Sequence, residues 1–245
     1  MNKSLLKYPH GNRNVYYPTN QEHKKCIVVK KISQGNVWEK RITKRIYNDC
    51  VVGECAIDIG ANLGVHTVSM LDGVSTSGYV IAFEPQKKIS KCLRNTLKDI
   101  NKNNNNVKNF TISNNLVSNK NSSSKFMING TGRSRIPIKG KKYNNKVWTE
   151  NKKKTITLDK FISKDSGYNE KQLPICLIKI DVEGHEFEVL EGAQKTINEN
   201  RPIIYIEVWK GQGDLNRLIQ WCNINNYSME SISSNDYRLI PLPYF

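Results

Sequence analysis

The chain has 245 residues, with 38 Lys and Arg against 22 Asp and Glu and a formal net charge of +16. That length suits one domain with a sizeable core, and no apolar run approaches the roughly eighteen residues a transmembrane helix requires. The six cysteines (26, 50, 55, 92, 176 and 222) lack CxxC or Cys/His ligand spacing, and the opening MNKSLLKYPHGNRN lacks the apolar centre of a secretory signal. Both features predict free thiols in a reducing, cytoplasmic compartment, not a zinc site or a disulfide frame.

The charge sits in two blocks. Residues 1–50 hold 11 basic against 3 acidic residues and residues 101–154 hold 13 against 1, whereas 51–100 balance at 5 and 5 and 155–245 are acidic, 9 against 13. A basic surface of this size attracts RNA, nucleotide-sugars or acidic glycans. The same blocks are crowded with Asn, as in KNNNNVKN, a composition that tolerant surface loops acquire without function.

Residues 1–45 read as a basic N-terminal arm whose strand and helix pack on the core, and 46–245 as the main domain with a variable basic insertion near 119–153. In the arm, Cys26-Ile-Val-Val29 predicts a short strand. Trp38, Ile42 and Ile46 recur at four-residue spacing, an amphipathic helix with basic residues outward. Residues 55–60 form an apolar strand ending at Asp58 and Gly60, followed by the turn Ala61–Gly64 and a helix from Val65 to Leu71. Tyr79–Phe83 is the next strand, closed by Glu84 and Pro85, and Ile89, Leu93, Leu97 and Ile100 mark a helix. Lys108–Val117 alternates as a third strand, 119–153 reads as a hairpin with long loops, and Thr155–Leu158 as a strand. Ile175–Ile180 is apolar except for Lys179 and ends in Asp181. Phe187, Leu190, Gln194 and Ile197 then form one helix stripe. Ile203–Ile206 ends in Glu207, Leu215, Leu218, Ile219 and Cys222 mark a further helix, and 227–241 closes the chain's pattern with a β-hairpin turning at Ser233–Asp236.

Continuously apolar strands alternating with helices predict an α/β, doubly wound, Rossmann-like sheet, mostly parallel and covered on both faces. Ligands of such sheets bind outside the carboxyl ends of the strands. Asp58, Glu84, Asp181 and Glu207 all fall there, and four ionisable residues on one edge mark a site. Gly60 and Gly64 let the first strand turn sharply beneath a ligand. Their GxxxG spacing is not the GxGxxG of phosphate-cradling dinucleotide folds. Glu84, at the end of the second strand, is placed to accept both hydroxyls of a ribose, and Pro85 with Asn115 and Leu116 would flank an adenine. A ribose and an adenine without a phosphate point to S-adenosylmethionine.

The stretches AIDIGANLG at 56–64, YVIAFEPQ at 79–86, TITLDKF at 155–161, LIKIDVEGHEFEVLEGA at 177–193 and RPIIYIEV at 201–208 resemble, in order and spacing, the FkbM family of S-adenosylmethionine-dependent methyltransferases. The resemblance covers roughly residues 45–245. It implies a doubly wound domain of seven strands with the seventh antiparallel, and an acceptor hydroxyl, often on a sugar or natural product. It places cofactor contacts at Asp58, Gly60, Asn62, Gly64 and Glu84 and the reaction edge at Asp181, Glu183 and Glu186. His185 stands where the family usually has a small residue, and 119–153 matches only loosely.

Methyl transfer to an alcohol requires an oriented hydroxyl, a proton acceptor and exclusion of water. Asp181 is positioned to touch the methionine end or the acceptor hydroxyl. Glu183 and His185 are candidate bases, His185 having the more suitable ordinary pKa of about 6.5, while either, or Glu186, can instead serve the start of the following helix. Glu207 can face Asp181 across the cleft, and two carboxylates so placed suit a divalent ion such as Mg²⁺. A metal-free base fits equally, so no metal is assigned. Lys179 can pair with an edge carboxylate. His66 can reach the cofactor's carboxylate or lie on a helix surface, Arg133 and Arg135 can anchor an anionic substrate group, and His10 and His23 read as surface residues. The reading that follows is an O-methyltransferase acting on a hydroxyl of a glycan, glycolipid or nucleotide-sugar. The alternative is ribose 2′-O-methylation of RNA, using the basic blocks and Tyr16, Tyr17, Trp148 or Trp209 for stacking, although no pair of lysines at strand ends supports it. A binding module without activity is disfavoured by the intact Asp58, Glu84 and Asp181.

Overall fold

The computed structural model describes residues 1–19, 26–102, 107–129, 134–137, 142, 144, 149–165, 172–209 and 214–243. Strands β1 (Asn2–Tyr8) and β2 (Gly11–Tyr17) form an antiparallel hairpin around a two-residue turn, Pro9-His10. Helices α1 (Ile27–Ser33) and α2 (Lys40–Asp49) follow. The expected strand at 26–29 is therefore the start of a helix: Val28, Val29 and Ile32 are buried together on one face, and a four-residue apolar run does not by itself distinguish the two periods. The hairpin was not legible, because Leu6, Tyr8 and Val15 are its only buried apolar side chains. His10 is not a surface residue. Its side chain is 2 % exposed, with Nδ1 2.9 Å from Asp72, Nε2 3.0 Å from Ser69 Oγ and its ring stacked on Tyr47. Tyr16 and Tyr17 pack against the core instead of forming a stacking platform, and the Tyr16 hydroxyl donates to Asp99. His23 and Trp148 lie outside the described residues.

The main domain continues through β3 (Cys55–Ile59), α3 (Val65–Val74), β4 (Tyr79–Phe83), α4 (Lys87–Lys102), β5 (Phe110–Ser113), β6 (Leu116–Val117), β7 (Ser122–Ile128) and β8 (Thr149–Ile156). A short helix α5 (Leu158–Lys160) runs into a π-helical turn, and β9 (Ile175–Ile180), α6 (Glu186–Glu191), α7 (Gln194–Asn200), β10 (Ile203–Glu207), α8 (Asp214–Asn225), β11 (Tyr227–Ser231) and β12 (Asp236–Pro241) complete it. Seven strands pair in the order β11-β12-β10-β9-β3-β4-β5. β12 runs against both neighbours, and the other adjacent pairs are parallel. A second, three-stranded sheet, β6-β8-β7, includes the hairpin foreseen in 119–153.

Three segments differ from expectation. The third strand divides at Asn114-Asn115 into β5 and β6, which join different sheets. Leu158 opens α5 and does not extend β8. The single helix foreseen through Phe187–Ile197 breaks into α6 and α7 at Gly192, where a Cβ would overlap the backbone carbonyl of Ser118.

Strands β3 and β4 are buried on both faces, and period-two alternation sorts their side chains into two cores. Ile57, Ile59, Ile178, Ile180 and Ile206 face α6–α8. Ala56, Leu177 and Tyr205 face α2, α3 and α4. The same parity, with Asp58 opposite Lys179 and Lys179 opposite Tyr205 in register, directs Asp58, Lys179, Asp181 and Glu207 toward α2 and α3.

Candidate active site

At the carboxyl edge of the sheet, β3, β4 and β9 are drawn together by backbone bonds. Gly60 and Ala61 N–H donate to the Phe83 carbonyl (3.0 and 2.9 Å), and Asp181 N–H donates to the Ile59 carbonyl (2.9 Å). Gly60 has a φ of +91°, and a Cβ there would collide with the Asp181 carbonyl oxygen, so glycine is required by both conformation and space. The edge opens into a cleft of about 1150 Å³, mouth included. Gly60, Asn62, Glu84, Pro85, Asn115, Leu116, Asp181, Glu183, His185 and Glu207 all line it.

Asp58 and Gly64 do not. Asp58 is buried beneath the turn, where one carboxylate oxygen accepts from Thr67 Oγ1 (2.5 Å). Gly64, with φ +86°, starts α3 where Leu93 leaves no room for a Cβ. Both shape the turn from behind and are not contacts of the cleft.

Glu84 is 4 % exposed. Its Oε1 accepts from Gln86 N–H (2.8 Å) and its Oε2 from Asn62 N–H (3.0 Å), which fixes the carboxyl at the cleft wall with a lone pair on each oxygen to spare. Burial outweighs these bonds and pushes its pKa up to about 7. Pro85, Leu116 and Val117, with Phe126 and Ile136 from the smaller sheet's side, provide an apolar slot beside it.

Beyond Gly60 lies a polar cluster. Lys179 is buried and its Nζ is 2.9 Å from Asp181. Burial opposes both charges, but the attraction between them wins, keeping the lysine protonated and holding the Asp181 carboxyl below its ordinary range. Glu207 is pushed up to about 10 by burial and by the charge of Asp181, to which it is hydrogen-bonded. Glu207 therefore carries the proton that the two carboxyls share. Glu183, at φ +62°, accepts from Arg135 (2.6 Å). The Arg135 anchor thus meets a carboxylate of its own chain, while Arg133 lies outside the described residues. His185 has Nε2 2.9 Å from Ser118 Oγ and Nδ1 3.3 Å from Glu188, and burial lowers its pKa. Glu186 turns away from the reaction edge to accept from Gly184 N–H (2.8 Å) at the start of α6, where burial raises its pKa to about 7.

Asp181, Glu183 and Glu207 each place an oxygen within 4.8 Å of the others. Lys179 already pairs with Asp181 and Arg135 with Glu183, so two of the three carboxylates are engaged by cations of the chain. A divalent ion would have to compete with both, and no metal is assigned.

The N-terminal arm contributes wall residues that the sequence did not single out. Trp38 and Glu39 line the cleft opposite Asp181. Glu39 stands 3.3 Å from Nε2 of His66, which is 7 % exposed on α3 and not on a helix surface. The available signal was Glu39 itself, the one acidic residue between Glu22 and Asp49 in a basic stretch.

This strand order, with its antiparallel β12, a glycine turn after β3 and a buried carboxylate after β4, is the fold of class I methyltransferases. The Methyltransferase FkbM domain model matches residues 58–237, and the chain belongs to that family. Among solved structures it is similar to the methyltransferase FkbM from Methylobacillus flagellatus KT, at 17% identity and a TM-score of 0.51, over 82% of this chain and 50% of that one. The chain therefore spans about half the length of that relative. It is also similar to a methyltransferase from Geobacter sulfurreducens, at 10% identity and a TM-score of 0.50, over 93% and 91% of the two chains. No curated protein sequence matches. No helix among the described residues is long and apolar enough to cross a membrane.

Proposed function

We propose that this chain methylates a hydroxyl of a sugar, carried on a glycan, a glycolipid or a nucleotide-sugar, in a reducing intracellular compartment. One observation carries the reading: the cleft joins a nucleoside-shaped end, Glu84 with its apolar slot, to an end made of hydroxyl-binding groups, Asp181, Glu207, His185 and Ser134. The bound donor supplies an electrophilic methyl group. Glu84 accepts the ribose hydroxyls, and Pro85, Asn115 and Leu116 enclose the base. Asp181, ionised beside Lys179, accepts a hydrogen bond from the acceptor hydroxyl and orients it, and protonated Glu207 donates to a neighbouring sugar oxygen. Glu183 is engaged by Arg135 at 2.6 Å, which leaves it less available to the acceptor hydroxyl. With Nδ1–H toward Glu188, the uncharged His185 presents Nε2 as a proton acceptor, and the acceptor hydroxyl takes the place of Ser118 Oγ there.

RNA is the second reading, favoured by the exposed lysines at 152 and 154 on β8, the smaller sheet's central strand. The test is transfer of labelled methyl from S-adenosylmethionine to a panel of deoxysugar, hexosamine and RNA acceptors, read by mass spectrometry. Label in a sugar supports the proposal. Label only in RNA, accompanied by salt-sensitive RNA affinity, overturns it.

A further inference from the structure

The balanced charge of residues 51–100 conceals a sorted surface. Of the five acids there, Asp58 and Glu84 are buried, Asp72 pairs with Arg13, Asp99 accepts from Asn14 and Tyr16, and Glu54 stands just before β3. All five basic residues lie on one helix, α4, which adds Lys102 at its end. Lys87, Lys91, Arg94, Lys98 and Lys102 are exposed. At about 100° per residue they fall within a sector of about 80° and form a stripe about 22 Å long. Lys125, Lys195 and Arg217 find carboxylates elsewhere on the surface. None of the stripe's cations makes an ion pair among the described residues. Nor does α4 place an acid in its first turn, where the helix dipole favours one.

The start of α4 adjoins the cleft, since Gln86 lines the wall beside Glu84. Lys153 of β8 joins the two. Burial and the neighbouring charge of Lys87 lower its pKa while Glu84 raises it, so the ammonium stands between the stripe and the cleft wall. A row of unpaired cations, about one helical turn apart and leading from a cleft, matches a chain with an anion on successive units. Single-stranded nucleic acid would call for aromatic platforms as well. Trp209, the one exposed aromatic side chain among the described residues, lies beyond β10, separated from β4 by β9 and β3. A polyanion without bases therefore fits the stripe better.

We propose that the outer face of α4, with Lys153, is a docking track for an acidic polysaccharide, whose carboxylates lie along the stripe while one end of the chain enters the cleft. The proposal rests on the sugar-acceptor reading above and narrows it to uronate-bearing chains.

The test is fluorescence anisotropy of the full chain, without donor, with a labelled uronate decasaccharide, a neutral glucan of equal length and a ten-nucleotide single-stranded RNA. Two triple variants lose equal charge. Lys91→Gln, Arg94→Gln and Lys98→Gln remove the centre of the stripe, and Lys30→Gln, Lys31→Gln and Lys44→Gln remove three exposed cations from α1 and α2. Both replace exposed helix residues with a comparable helix former, so the fold is retained. The expected result is uronate binding that weakens as salt rises and that falls about 10- to 100-fold in the α4 variant, the sum of three exposed charge contacts. The other variant changes it by less than about threefold, because screening confines the effect to near charges. Equal losses in the two variants would reduce the effect to net charge and overturn the proposal, as would equal affinity for the neutral glucan or no uronate binding by wild type. RNA bound more tightly than uronate, and weakened by the α4 variant, would make the stripe a nucleic-acid track and overturn it too. The sugar reading fails separately, by absence of label from every sugar in the transfer assay above.

Discussion

Glu84→Gln separates the two demands on the carboxyl proposed to bind the donor's ribose. In the free protein Glu84 sits at about 7 in place of the ordinary 4.5 because burial disfavours its charge. Between those two values the folded protein holds a proton that the unfolded chain has released, so this group's contribution to stability falls as pH rises through that window and is constant above it. The difference amounts to about 3 kcal/mol. Glutamine cannot ionise, but its amide accepts on one side only, so one of the N–H groups of Asn62 and Gln86 loses its acceptor, at a cost of about 1–3 kcal/mol. The variant should therefore be less stable than wild type near pH 5, and the gap should close or reverse near pH 8. Because Glu39 and Glu186 are also raised to about 7, wild type alone shows a composite slope. The difference between the two proteins isolates Glu84. Urea denaturation at both pH values measures it, and titration with methylthioadenosine should show a loss of about 10-fold or more. A gap that is independent of pH would refute the burial argument, and unchanged nucleoside affinity would refute the ribose assignment.

Further outcomes follow from individual contacts. Gly60→Ala should destabilise the protein by about 3 kcal/mol or more, seen as a lowered denaturation midpoint, because both the left-handed backbone and the Asp181 carbonyl reject a Cβ; a stable variant would show that the turn relaxes. His185→Ala should lower the methyl-transfer rate about 10²- to 10⁴-fold while nucleoside affinity is unchanged. Equal losses in both would make the imidazole structural. Arg135→Ala should chiefly raise the KM for the acceptor, since it frees Glu183 at the mouth of the cleft; single-turnover kinetics at saturating acceptor separate this from a loss of chemistry. At the other end of the sheet, Cys176 accepts hydrogen bonds from the Cys50 thiol and from Val51 N–H, which lower its pKa while that of Cys50 is raised. Iodoacetamide should modify Cys176 before Cys50, as peptide mapping would show, and the reverse order would contradict the bond's direction.

Where a segment's burial is carried by its own periodicity, it was legible in the sequence. β3, β4, β9 and β10 are short, apolar but for Asp58 and Lys179, and carry a carboxylate at or just beyond their ends, so the parallel sheet and its ligand edge could be derived before any contact was known. α1 and the β1–β2 hairpin were not legible: α1 packs on the hairpin, and the hairpin packs chiefly on α4, an element distant in sequence. The same limit applies within the site. Glu84, Asp181 and Glu207 were placed by strand ends, a local signal. That Asp58 turns inward to Thr67 depends on which face of β3 looks at α3, and that Glu39 reaches the cleft depends on how α2 crosses the sheet. Neither has a local signature. Gly192 likewise reads as an ordinary helix residue until the Ser118 carbonyl is seen against it.

The cleft takes Ile27 and Val28 of α1 with Trp38 and Glu39 from before β3, and Glu207 from the end of β10, with the glycine turn between them. No shorter contiguous segment contains it. A nascent chain consequently has no complete cleft until β10 has been synthesised and paired beside β9. A nucleoside that fills this cleft should therefore slow unfolding more than it speeds refolding.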